Sequence, residues 1–305
     1  MNTKKSYRLF LVIILTHIAV VFGVAFLRLN VVQENFTVNC ILSEMIIWVP
    51  CLLFLAVTRT EPLKFCRIRR TTVSTLLKTV LFTVLCMPVI MFVNALSMLF
   101  VDNVVLDMSS SILNISLPAS VLLLGVYGPF CEEFVFRGVI YRGLKKQGNG
   151  FLAVLMSALL FGLMHMNFNQ APYAFVIGIG MALLAEATDS LWPTFLMHFL
   201  INTYSTVVMY ITRGMTGDLY EQTMEQAANM GKSELFMAVS AYFVLAVIFT
   251  PLAACVLCWI AKGENKLENM REIWYTRRTD RKSYVTVSLV AGVVLCLAVM
   301  ILTVL

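Results

Sequence analysis

Apolar runs long enough, or nearly so, to cross a ~30 Å hydrocarbon core as helices recur along the whole chain. They fall at 9–27, 41–58, 73–100, 118–143, 151–168, 172–188, 192–212, 235–261 and 284–305. No soluble domain is left between them. The fold class this admits is all-α, a polytopic transmembrane helical bundle of eight or nine spans, because a helix satisfies its backbone polar groups within one segment. Composition agrees: 60% of the residues are hydrophobic and 13% charged, where soluble domains run near ~45–50% and ~25%. The first run follows Lys4, Lys5 and Arg8 but is too long for a signal peptide and lacks an Ala-x-Ala-like cleavage site, so it reads as a retained span. Most of the eight cysteines sit inside apolar runs and behave as small hydrophobes. The CxxC of Cys255 and Cys258 has no second pair or nearby histidine to complete a zinc site.

The linkers divide by charge. Basic residues crowd 59–70, 142–146 and 262–282, whereas the other loops are neutral or acidic. By the positive-inside rule the basic loops and the N-terminus are cytoplasmic, which predicts a multi-pass cell-membrane protein. The net charge of +6 is then accounted for by topology and anionic headgroups, and no nucleic-acid partner is implied. Segments 101–116 and 214–232 are moderately polar and read as short surface helices.

Ionisable groups at membrane depth are the sharper signal. Setting aside Glu44, Lys78 and Glu186 as charges near span ends leaves Glu132, Glu133, Arg137, His165, His198 and Asn202, with an isolated His17. Each ionisable group near a helix centre costs on the order of 2.5–3.5 kcal/mol, so such a cluster points to function. Residues four apart share a helix face, which predicts a structural ion pair between Glu133 and Arg137 and leaves Glu132 pointing elsewhere. Phe161 with His165, and His198 with Asn202, each share a face of their own helix, so three helices offer polar groups to one pocket. Two uses stay open. Glu132, His165 and His198 are candidate ligands for a divalent metal such as zinc, or Glu132 works as a base on water while the imidazoles and the Asn202 amide stabilise an oxyanion.

The same residues resemble a known family. Glu132-Glu133-x-x-x-Arg137, Phe161-x-x-x-His165 and His198-x-x-x-Asn202 are similar to the three motifs of the CPBP family, the CAAX-protease and bacteriocin-processing (Abi) membrane proteins. GPFCEEFVFRGVIYRGL and DSLWPTFLMHFLIN strengthen the match, which covers about 118–205. The resemblance implies an intramembrane endopeptidase, like a type II CAAX prenyl endopeptidase, in which Glu132 activates water, His165 assists, and His198 with Asn202 binds the oxyanion. The family is commonly labelled metalloprotease, and a metal-free glutamate mechanism is also argued for it; HExxH is absent here.

The expected division is N-terminal helices at 1–117, a catalytic core at 118–212 and C-terminal helices at 213–305. Expected partners are the lipid bilayer and a peptide or membrane-protein substrate, lipidated or not. The rival readings are a catalytically silent immunity or scaffold protein and a transporter with a proton relay. Counting rise leaves one offset: His165 lies ~22 Å from Gly150, farther along its helix than Glu132 or His198 along theirs.

Overall fold

The computed structural model describes residues 2–146, 148–228, 230–279 and 285–303, and no strand occurs among them. The long helices are α1 (Thr3–Phe26), α2 (Phe36–Val57), α3 (Val73–Ser97), α4 (Leu117–Lys145), α5 (Gly150–Met164), α6 (Gln170–Thr188), α7 (Trp192–Thr216), α8 (Lys232–Gly263), α9 (Leu267–Thr279) and α10 (Val287–Leu302). Among the described residues seven of these, all but α5, α9 and α10, are long and apolar enough to cross a membrane. The all-α polytopic bundle expected from the sequence is therefore what forms. Two of the nine expected spans are short, 15 residues in α5 and 16 in α10. The last expected run, 284–305, begins and ends on residues outside those described.

Side-chain caps set several boundaries. Asn35 accepts from the Val38 N–H to open α2, Thr72 from Thr75 to open α3, and Asn149 from Leu152 to open α5, each satisfying one of a helix start's unpaired donors. Because Asn35 caps it, α2 begins several residues before the apolar run read at 41–58. That places Glu44 more than two turns inside a helix, and its treatment as an end charge is corrected accordingly.

Of the seven long spans α4 and α6 are the most enclosed, with 50% and 56% of their apolar windows buried against 22% for α1, α3 and α8. α3 packs along α8, α5 along α6, and α1 against α2 and α10. Gly178 permits the α5–α6 approach: a Cβ there would stand 2.9 Å from Ala158 Cα and 3.3 Å from Arg137 Nη2. Small residues at such contacts let membrane helices approach closely.

One end of the bundle is tied by charge. Asp189, which ends α6 in the left-handed conformation (φ 54°), pairs with Arg67, with Arg69 at 3.1 Å, with Arg142 at 3.4 Å and with Lys266 at 3.7 Å. Glu186, one turn earlier, pairs with Lys145 and with Arg142 at 3.5 Å. The basic loops that the sequence assigns to one membrane face therefore meet around two buried carboxylates. Glu186, near the end of its span, is a buried partner in that network.

Candidate active site

α4 departs from α-helical winding on both sides of its glutamates. Val121–Tyr127 and Phe134–Tyr141 are π-helical, with α-winding between them over Gly128–Glu133. The Gly128 N–H reaches back five residues to Leu123 O, and Pro129 has no N–H with which to resume the usual ladder. Widened turns are rare, concentrate at functional sites and re-aim the side chains they carry.

Glu133 turns inward and is sealed, with 0% of its side chain exposed, whereas Glu132 keeps 21%. That difference decides which carboxylate can meet water. Arg137, one turn on, donates through Nη1 to Glu133 Oε1 at 2.8 Å, as the sequence spacing predicts. A buried guanidinium needs such a partner, since removing one member of a buried pair costs several kcal/mol.

α7 brings His198 between the two glutamates. Its Nδ1–H donates to Glu133 Oε1 at 3.1 Å, and its Nε2 stands 3.5 Å from Glu132 Oε2. The first is a hydrogen bond; the second is a wider electrostatic contact. Glu132, directed away from the Glu133–Arg137 pair, takes its contact from another helix.

Phe161 on α5 holds these parts together. Arg137 lies over its ring at 4.1 Å, and the rings of Phe136, His165 and His198 meet it edge-on at 5.2, 5.1 and 5.7 Å. Phe161 is ~16 Å up α5 from Gly150, so the ring, not His165, is level with the Glu133–Arg137–His198 cluster. His165 stands at the end of α5, one turn farther on. Its Nδ1 lies 3.0 Å from the Phe161 carbonyl; a carbonyl only accepts, so Nδ1 carries the proton and Nε2 is left for the pocket. The chain then turns through Met166 (φ 54°), Asn167 donates to the His165 carbonyl at 2.8 Å, and the Asn167 side chain accepts from the Gln170 N–H at 2.7 Å to start α6. This turn absorbs the offset noted in the sequence.

Asn202 sits one turn beyond His198 and donates to the Leu124 carbonyl, in the first π-helical segment, at 3.0 Å. His17 is half-buried on α1 and joins none of the contacts described for these residues. Lys78 lies over the Trp259 ring at 4.5 Å. Sequence reasoning missed Glu44, which interacts electrostatically with Glu132 from α2; the signal that could have found it is a lone carboxyl within an apolar run bounded by the Asn35 cap. Tyr173 on α6 and Arg137 also act on Glu132.

Among the described residues no group of three or more His, Cys, Asp or Glu side chains is arranged to hold a metal ion. Nδ1 of His165 is committed to Phe161 O and Nδ1 of His198 to Glu133. A cleft of ≈ 520 Å³ lies between α1 and α2, is lined by residues such as Val12, Leu42, Met45 and Leu53, and includes none of the motif residues.

Residues 114–204 match the family model described as Type II CAAX prenyl endopeptidase Rce1-like. That stretch contains Glu132, Glu133, Arg137, His165, His198 and Asn202. The chain is 27% identical over 93 residues to YdiL of Bacillus subtilis, provisionally named a membrane peptidase, and 30% identical over 97 residues to the membrane-embedded CAAX protease MroQ of Staphylococcus aureus. Each alignment takes in 30% of this chain and spans 38% and 39%, respectively, of those relatives' lengths. No solved structure matches. The resemblance read from the three motifs is thus met independently, over the same residues.

Proposed function

We propose that the chain is a membrane protease of the CAAX-endopeptidase type, hydrolysing a peptide bond in a membrane-associated protein or peptide within the bilayer. The observation that carries the reading is His198, held on one side by the sealed Glu133 and facing the part-exposed Glu132 on the other. That arrangement fixes the imidazole and leaves Glu132 as the carboxylate free to act on water.

In this mechanism Glu132 takes a proton from water as the water oxygen attacks the scissile carbonyl carbon. His165, with Nδ1–H donated to Phe161 O, offers Nε2 to orient that water. The oxyanion is met by His198 through Nε2 when that atom is protonated, and by the second N–H of the Asn202 amide, whose first is given to Leu124 O. Glu132 then passes its proton to the amide nitrogen as the C–N bond breaks, leaving a new carboxyl and a new amine. Glu133 and Arg137 form the scaffold pair that orients α4 and His198.

The zinc reading and the metal-free reading divide on the ligand set. That no group of three such ligands is gathered among the described residues supports the metal-free form. Cleavage is expected to persist after treatment with a strong chelator; loss restored by added zinc overturns the metal-free form of the proposal. The basic end of the bundle, gathered on Asp189 and Glu186, supports a cytoplasmic N-terminus and cytoplasmic presentation of the substrate. The catalytic unit of this proposal is 118–212, with the N-terminal helices before it and the C-terminal helices after it.

The test is cleavage of a quenched fluorescent CaaX peptide, farnesylated and unmodified, by the protein in lipid vesicles. Cleavage by the wild type and a loss of about a hundredfold or more in Glu132→Gln with the fold intact are expected. Wild-type cleavage of neither peptide, or wild-type rates in Glu132→Gln, overturns the assignment.

A further inference from the structure

Glu44 is a carboxyl within an apolar helix, and no ion pair reaches it among the described residues. It projects from α2 onto α4 at Gly128, where a Cβ would stand 3.2 Å from Glu44 Oε1 and 3.7 Å from Cδ. Gly128 is one turn before Glu132 on the same α-helical stretch, so the two lie along one face of α4. Glu44 Oε2 is buried and makes no hydrogen bond among the described residues. Its electrostatic neighbours are Glu132, Cys131 and Tyr127 on α4 and Cys40 on its own helix. Glu132 in turn is faced by Arg137 on α4, His198 on α7 and Tyr173 on α6. The Arg137 charge is committed to Glu133 through the 2.8 Å ion pair. Among the described residues, Glu132 therefore has in Glu44 a carboxyl neighbour to which no counter-ion is paired.

We propose that Glu44 is a positioning residue of the hydrolysis, a third carboxyl that acts through Glu132 and sets how readily Glu132 takes the proton of the attacking water. The proposal rests on the glutamate-activated water of the preceding section. Two carboxyls within Coulomb reach in a low-dielectric interior do not ionise independently, and the proton one takes is felt by the other. The geometry fits this role: Glu44 is packed over a glycine that lies one turn from Glu132. The absence of a side chain at Gly128 is what seats it.

The test uses the full-length protein in lipid vesicles and the quenched farnesylated CaaX peptide. Glu44→Gln keeps size and removes the ionisable group; kcat is expected to fall about tenfold with KM within about twofold, the size of a one-decade change in a neighbour's proton affinity. The pH profile of kcat/KM is expected to be displaced, with Glu44→Asp restoring part of both. Gly128→Ala, whose methyl meets the Glu44 carboxyl, should reproduce the Glu44→Gln defect, and the double variant should be no worse than either single one. A readout free of turnover is the infrared carboxyl absorption during a pH titration, in which the Glu132 band is expected to titrate at a different pH once Glu44 is glutamine. Wild-type kcat, pH profile and infrared titration in Glu44→Gln overturn the proposal. So does a Glu44→Gln protein that cannot be obtained folded, which marks Glu44 as a structural residue. A wild-type rate in Glu132→Gln strikes the hydrolytic reading instead, so the two failures are told apart.

Discussion

Glu132 and Glu133 are adjacent, yet their surroundings give them different work. Glu133 is sealed and answers to Arg137 and His198, so Glu133→Gln removes the anion that compensates a buried guanidinium. A loss of about 3 kcal/mol in stability, with reduced yield preceding any effect on rate, is expected from thermal unfolding in detergent. Glu132 has one long contact and some exposure, so its substitution should leave unfolding nearly unchanged while abolishing cleavage. Cys66, in the loop before α3, is packed against Gly138. Burial pushes its thiol up to about 12, with Arg142 pulling the other way. A maleimide reagent at neutral pH is expected to leave Cys66 unlabelled in the native protein and to label it after denaturation, as mass spectrometry of tryptic peptides would record. At this scale the motif residues were legible because charged groups in apolar runs announce themselves. Glu44 was not, since its meaning depends on which residue of another helix lies opposite.

At the scale of the element, helix existence and order followed from the apolar periods, and the boundaries moved where caps decided them. Asn35 lengthened α2, and Met166 with Asn167 ended α5 before the run read to 168. The π-helical winding of α4 had no sequence signature beyond Pro129, because a widened turn is chosen by the helices packed around it. Close approach of α5 and α6 rests on Gly178, where an added methyl would press on backbone as well as on Arg137. Gly178→Ala is expected to cost about 1–3 kcal/mol, read as a lower unfolding temperature. Asn167→Ala releases the His165 carbonyl and the first turn of α6, and should lower kcat while leaving the Glu133–Arg137 pair undisturbed.

Over the whole molecule the basic loops were legible as a set, but their common anion was not. Asp189 gathers four cations from three separate segments, and such a hub exists only once α6 has delivered it to the bundle's end. Asp189→Ala is expected to lower stability by about 3 kcal/mol, since the nearly buried Arg142 keeps only Glu186; thermal unfolding checks this, and cleavage at temperatures below the transition should survive. At the opposite end, the fifteen residues of α5 rise only ~22 Å, well short of a ~30 Å hydrocarbon layer. The turn at His165 to Asn169 therefore lies where oil would otherwise be, and irregular backbone at that depth persists only inside protein or beside a wet cavity. The proposed hydrolysis consumes one water per turnover, and the early stop of this helix sets the polar side chains of His165, Asn167 and Asn169 at the depth where that water is needed.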